Sequence, residues 1–154
     1  MKFQNIIIIA LALSVSACEH EVSPDKIINH SASVPPAFGI SKLGVIASSI
    51  NKRKHTMSTL YGNSNSVNRT RAGAALGTGE KLVLVTWKQK ADESWFGANI
   101  PDEIQSIEQI SAGGDVKEMH YQQFLGQNLT LNQDTSGRSR RISNILGMQA
   151  SIMP

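Results

Sequence analysis

The stretch Lys81-Leu82-Val83-Leu84-Val85-Thr86-Trp87-Lys88 decides how this chain is read. Val83, Val85 and Trp87 alternate with Leu82, Leu84 and Thr86. Successive strand side chains point to opposite sides, so two interleaved apolar sets predict a β-strand covered on both faces. Upstream, Thr56 to Tyr61 alternates in the same way, and Leu43 to Ile50 reads as a further strand beyond the basic turn Asn51-Lys52-Arg53-Lys54. Gly62 breaks the pattern. Asn63 or Ser64 then caps a short helix through about Ala72, with Gly73 ending it. Downstream, Ala91-Asp92-Glu93 is a loop, Trp95-Phe96-Gly97 resumes apolar structure, and Pro101 stops it. Gln105 to Ile110 reads as a strand, joined through Gly113-Gly114-Asp115 to Val116–Leu125 as a hairpin. Ile142, Ile145, Leu146 and Gln149 form a helical stripe over Arg138 to Ala150. The expectation is an α+β domain, a mainly antiparallel β-sheet with a short helix after Gly62 and a C-terminal helix.

The chain has 154 residues, which suits one domain. Its 40% hydrophobic and 18% charged content is that of a globular protein. The net charge of +3 is too weak to argue for nucleic acid, so no nucleic-acid partner is expected. The single cysteine, Cys18, excludes an internal disulfide, a Cys-x-x-Cys pair and a Cys-x-x-Cys-His haem attachment.

That cysteine closes an address. Lys2, the apolar run Ile6 to Leu13 and the small residues up to Ala17 follow the order of a secretory signal over residues 1–17. The apolar run is too short to span a bilayer, which takes about 20 residues. Val15-Ser16-Ala17-Cys18 resembles the lipobox of bacterial lipoproteins. The resemblance implies that Cys18 is lipidated and anchors the chain to a membrane of the cell envelope, facing the periplasm. Glu19 follows, where Asp would be the usual inner-membrane retention signal, so the outer membrane is favoured. Residues 18–41 hold Pro24, Pro35 and Pro36 with no clean period and read as a flexible tether, with a reach of about 25 Å. The domain is expected over residues 42–154.

The usual chemical signatures are missing. Gly73 to Lys81 lacks phosphate-loop spacing, and Leu82 stands where a hydroxyl residue would hold magnesium. There is no Gly-x-Ser-x-Gly elbow and no His-Glu-x-x-His, so neither catalytic residues nor a metal site are assigned. Asp92, Glu93, Asp102, Glu103, Glu108, Asp115 and Glu118 are the acidic candidates; paired carboxylates do acid–base work only in a cleft, and these read as solvated loops. Lys52-Arg53-Lys54 and Arg138, Arg140 and Arg141 are basic clusters, read as solvated turns or as contacts for anionic lipid headgroups. Trp87, Trp95, Phe96, Tyr121 and Phe124 form either a core cluster or the lining of a pocket.

Leu60-Tyr61-Gly62-Asn63, the short helix, Gly79, the strand Leu82 to Trp87 and Trp95-Phe96-Gly97 together resemble the cytochrome P-460 family. The tail segments Ile142 to Gly147 and Ala150 to Pro154 resemble envelope relatives grouped with it. The resemblance runs from about Thr56 to Pro154. It implies a mainly antiparallel β fold, often homodimeric. Founding members carry c-type haem and oxidise hydroxylamine or bind small gases. This chain lacks their attachment motif, and Leu84 stands where the cross-linking lysine is expected.

The expectation is therefore a small-ligand or partner-binding module without a cofactor, whose pocket would be lined by Leu84, Trp87, Trp95 and Phe96. Whether it is an enzyme stays open. The second reading is a haem held without covalent bonds, with His55 or His120 as axial ligand.

Overall fold

The computed structural model describes residues 28–113 and 119–148. Six strands form one antiparallel sheet in chain order: β1 (Gly44–Asn51), β2 (Thr56–Gly62), β3 (Lys81–Ala91), β4 (Asn99–Ala112), β5 (Met119–Leu125) and β6 (Thr130–Leu131). Two α-helices accompany them, α1 (Ser64–Arg71) and α2 (Arg138–Leu146). The protein is thus mainly β with some helix, as the alternation of its strands implies.

The decisive stretch is a central strand. Leu82 pairs with Gly62 and Ile110, and Leu84 with Leu60 and Glu108. Its two apolar sets enter two separate cores. Leu82 and Leu84 join Ile46, Leu60 and Ile110 beneath Ile145 of α2, with Val67 of α1 against the same cluster. Val83, Val85 and Trp87 join Ile104 and Ile107 beneath Phe38. The two faces have different covers, helices on one and the N-terminal stretch on the other.

Within the tether expected over residues 18–41, the described part is folded, which corrects the expected domain start at residue 42. From Asn29 the chain belongs to the fold. Three short 3-10 turns, His30–Ala32, Pro36–Phe38 and Ile40–Lys42, form a strap. Phe38 meets Phe124 edge-to-face at 5.1 Å, and Trp87 Nε1 donates to the Ala32 carbonyl at 2.9 Å. Turns of three residues give no helical or strand period, which is why the strap reads as a linker. Residues 18–27 lie outside the described residues.

Asn63 is the cap of α1, its side-chain oxygen accepting from Ser66 N at 3.1 Å. Gly62 is where α1 presses on the sheet. A Cβ there would stand 2.7 Å from Ile46 Cδ1 and 2.9 Å from Ser66 Cβ, so only glycine fits. Pro101 does not stop β4, which runs through it. Its carbonyl accepts from Asn29 Nδ2. The N and C=O of one strand residue point the same way, so the missing N–H of Pro101 lies on the strap side and costs no bond to β3. The expected hairpin before β5 crosses residues 114–118, outside the described residues. The C-terminal helix ends at Leu146, capped by Gly147, and residues 149–154 are likewise outside.

Candidate functional site

On the helix-covered face the strand rows change character along the sheet. Near α1 the facing residues are Leu82 and Ile110. Moving away, Leu84 pairs with Glu108 and then Thr86 with Ser106, while Ser58 pairs with Thr86. Helix α2 covers the apolar rows, and the hydroxyl rows form the floor of a groove of 520 Å³. Ser58, Thr86 and Ser106 lie on that floor, Lys54 at the rim, and Arg141 and Asn144 on the α2 wall. Ser58 and Thr86 share a hydrogen bond of 2.9 Å between their hydroxyls.

Glu108 is the chemical centre of this face. Its side chain is 0% exposed. A buried carboxylate is costly unless it is paired and hydrogen-bonded. Arg141 supplies both kinds of partner, donating through Nε to Oε2 at 2.9 Å and through Nη2 to Oε1. The Tyr121 hydroxyl donates to Oε2 at 2.6 Å. Burial, then the bond to the Glu108 carboxylate, raises the Tyr121 phenol well above its ordinary pKa. The bond to Glu108 likewise raises the Arg141 guanidinium. The Arg138 guanidinium lies 5.8 Å from the centre of the Tyr121 ring and donates to the Met119 carbonyl at 3.3 Å. Two of the three arginines at the start of α2 are therefore engaged by this network, and Arg140 is exposed.

With both Glu108 oxygens engaged, the groove offers a ligand neutral hydroxyls, the amides of Gln105, Gln123 and Asn144, and the cation of Lys54. Among the described residues no histidine or cysteine lines it. This is hydrogen-bonding chemistry suited to holding a polar molecule. Among the described residues no group of His, Cys, Asp and Glu side chains is placed to hold a metal ion.

The pocket expected from Leu84, Trp87, Trp95 and Phe96 does not form. Leu84 and Trp87 point to opposite faces, as strand residues three apart must. Trp95 is 72% exposed and Phe96 fully exposed, both in the loop between β3 and β4. Of the four, only Leu84 lines the polar groove. Trp87 and Phe124 share one core, and Tyr121 lies on the other face. His55 sits exposed in the β1–β2 turn at φ 50°, and His120 is exposed on β5. Neither lines the polar groove.

Glu108 and Arg141 were hidden among residues read as solvated. Glu108 stands two residues from Ser106 and from Ile110, on the inward set of a predicted strand. Arg141 stands four before Ile145, on the inner stripe of a predicted helix. Period alone would have turned both inward.

A comparison with models of known protein families gives no match for this chain, and a comparison with curated proteins gives none either.

Proposed function

We propose that this chain is a lipid-anchored protein of the bacterial cell envelope, held through Cys18 and facing the periplasm, on the outer membrane. Its α+β domain is a cytochrome P-460-like module without covalent haem, and it binds a small hydroxylated ligand. The observation that carries the binding role is the groove over Ser58, Thr86 and Ser106, open beside a Glu108 carboxylate already neutralised by Arg141. A ligand there meets hydrogen-bonding groups without having to compensate a buried charge. The Lys54 cation at the rim favours a sugar acid over a neutral sugar. The anchoring role rests on Val15-Ser16-Ala17-Cys18 after the apolar run.

Isothermal titration with neutral hexoses and with uronic acids tests the binding role. A uronic acid binds, and Thr86→Leu abolishes binding by filling the floor while leaving the thermal transition in place. Heat-free titrations across both sugar classes break the reading. For the anchor, Cys18→Ser moves the protein from the membrane fraction. A variant that stays on the membrane breaks that part alone.

A further inference from the structure

The sheet has two unlike ends. At one end, β3 and β4 outrun their neighbours. The last residue of β3 paired with β2 is Lys88, and β5 stops at Leu125 opposite Ser106. Beyond those rows β3 and β4 continue alone as an arm. From Ile104 to Asn99 the arm adds about 17 Å at the usual strand rise. Its tip carries Trp95 and Phe96, 72% and 110% exposed, the two most exposed large apolar side chains among the described residues. Neither has a core to join.

Two other features lie at the same end. The β1–β2 turn folds against the base of the arm, where Gln89 N donates to the His55 carbonyl at 2.9 Å. That turn carries Lys52, Arg53 and Lys54, all exposed. The strap also begins here. Asn29 donates to the Pro101 carbonyl, and Ser31 Oγ donates to Asp102 at 2.9 Å and lies 3.3 Å from Lys90 Nζ. The first described residues therefore meet the arm itself, at Pro101 and Asp102 near the start of β4.

We infer that this end is the face the domain presses against the bilayer, with Trp95 and Phe96 entering the headgroup–acyl boundary and Lys52, Arg53 and Lys54 lying over anionic headgroups. The inference deepens the anchoring at Cys18 and rests on it. Asn29 follows Cys18 by eleven residues. Pro101, which Asn29 holds, is the third residue of β4, and Phe96 lies in the turn just before that strand, closed by Ala98 N donating to the Trp95 carbonyl at 3.0 Å. A lipid at Cys18 thus keeps the tip close to the bilayer. Tethering raises the effective concentration of a weak contact, so two aromatics suffice. Aromatic side chains settle at the membrane interface, and each basic residue near an anionic surface adds attraction. Asp92 and Glu93 share the loop, which keeps the insertion shallow. Asp92 is already occupied at the base of the tip, accepting from Ser94 N at 2.8 Å.

The chain has two tryptophans, and they give the test its readout. Trp87 is buried and Trp95 is at the tip. The full lipidated protein is reconstituted in vesicles of phosphatidylethanolamine and phosphatidylglycerol whose acyl chains carry bromine near the glycerol end. Emission is compared with that in unbrominated vesicles, and flotation is measured alongside. The expected result is quenching in the natural chain and its loss in Trp95→Phe, a surface change that leaves the fold alone. Replacing Lys52, Arg53 and Lys54 by Gln lowers the quenched fraction on anionic vesicles, by up to about fivefold per charge. Flotation without quenching overturns the inference and leaves the anchor standing. Absence of both flotation and quenching overturns the two together. Quenching in a protein whose Cys18 mass shows no lipid supports the inference and removes the anchor.

Discussion

On the face carrying Val83, Val85 and Trp87, the cover is a strap of three short turns, and an aromatic edge contact seals it. On the face carrying Leu82 and Leu84, the cover includes a nine-residue helix, and a polar groove stays open beside it. The difference is one of reach. A helix advances about 1.5 Å per residue, so α2 spans about 14 Å, whereas the 11 residues of β3 extend over about 37 Å. A 3-10 strap advances further per residue and can follow the strand. One face is consequently closed by apolar contact where the strap lies, around Phe38 and Phe124. The other is closed halfway, and the ion pair Arg141–Glu108 stands at the boundary between dry and wet.

The comparison is broken most forcefully on the closed face. Phe38→Ala removes the ring against Phe124 and leaves a void under the strap, so urea unfolding should show a loss of about 4 kcal/mol. A loss below about 1 kcal/mol would mean that the strap is not part of the core. On the half-open face, Arg141→Met strands the Glu108 carboxylate. The expected loss is about 3 kcal/mol, at the low end for a broken buried pair because the arginine side chain is 41% exposed. Adding Glu108→Leu to Arg141→Met should recover most of that loss. If the double variant is as unstable as the single one, packing rather than charge holds α2 down.

The smallest effect is read through pH. The Tyr121 phenol is raised in the folded state, by burial first and by the bond to Glu108 second. A raised pKa means that its contribution is fully present below the unfolded value near ~10 and is lost as pH climbs through the folded one. Stability should therefore fall on the alkaline side, and Tyr121→Phe should flatten that fall. Burial raises Tyr61 on the closed face as well, so a residual slope is expected in the variant. An unchanged alkaline slope in Tyr121→Phe would separate the tyrosine from the network.

Much of this was legible in the residues. The alternation in Lys81 to Lys88 marks a strand covered twice, and Asn63 after Gly62 marks a helix start. Both follow from local geometry, which sequence spacing reports directly. Three things were not legible. The strap has no period because each of its turns is only three residues long. Pro101 reads as a stop because its tolerated position depends on which edge of β4 lies open, a tertiary fact. The tip aromatics suggested a core because Trp and Phe bury the most area, and only the length of the arm shows them stranded in solvent. Glu108 is the instructive case, since its spacing pointed inward while its charge argued for the surface. The partner that reconciles the two lies 33 positions away.

Strand order in the sheet is also chain order. Each hairpin can close as soon as its second strand appears, without waiting for distant residues, which favours rapid assembly of a chain delivered from its N-terminus. Contacts from the strap and from α2 escape this rule. The Ala32 carbonyl must wait for Trp87, and Glu108 must wait for Arg141. A nascent sheet that has reached β5 therefore still holds an uncompensated carboxylate, which resists burial until the last helix arrives. Completion of the fold is thereby tied to the arrival of α2, and a product ended before residue 141 should remain open on its helical face and be recognisable to proteases there.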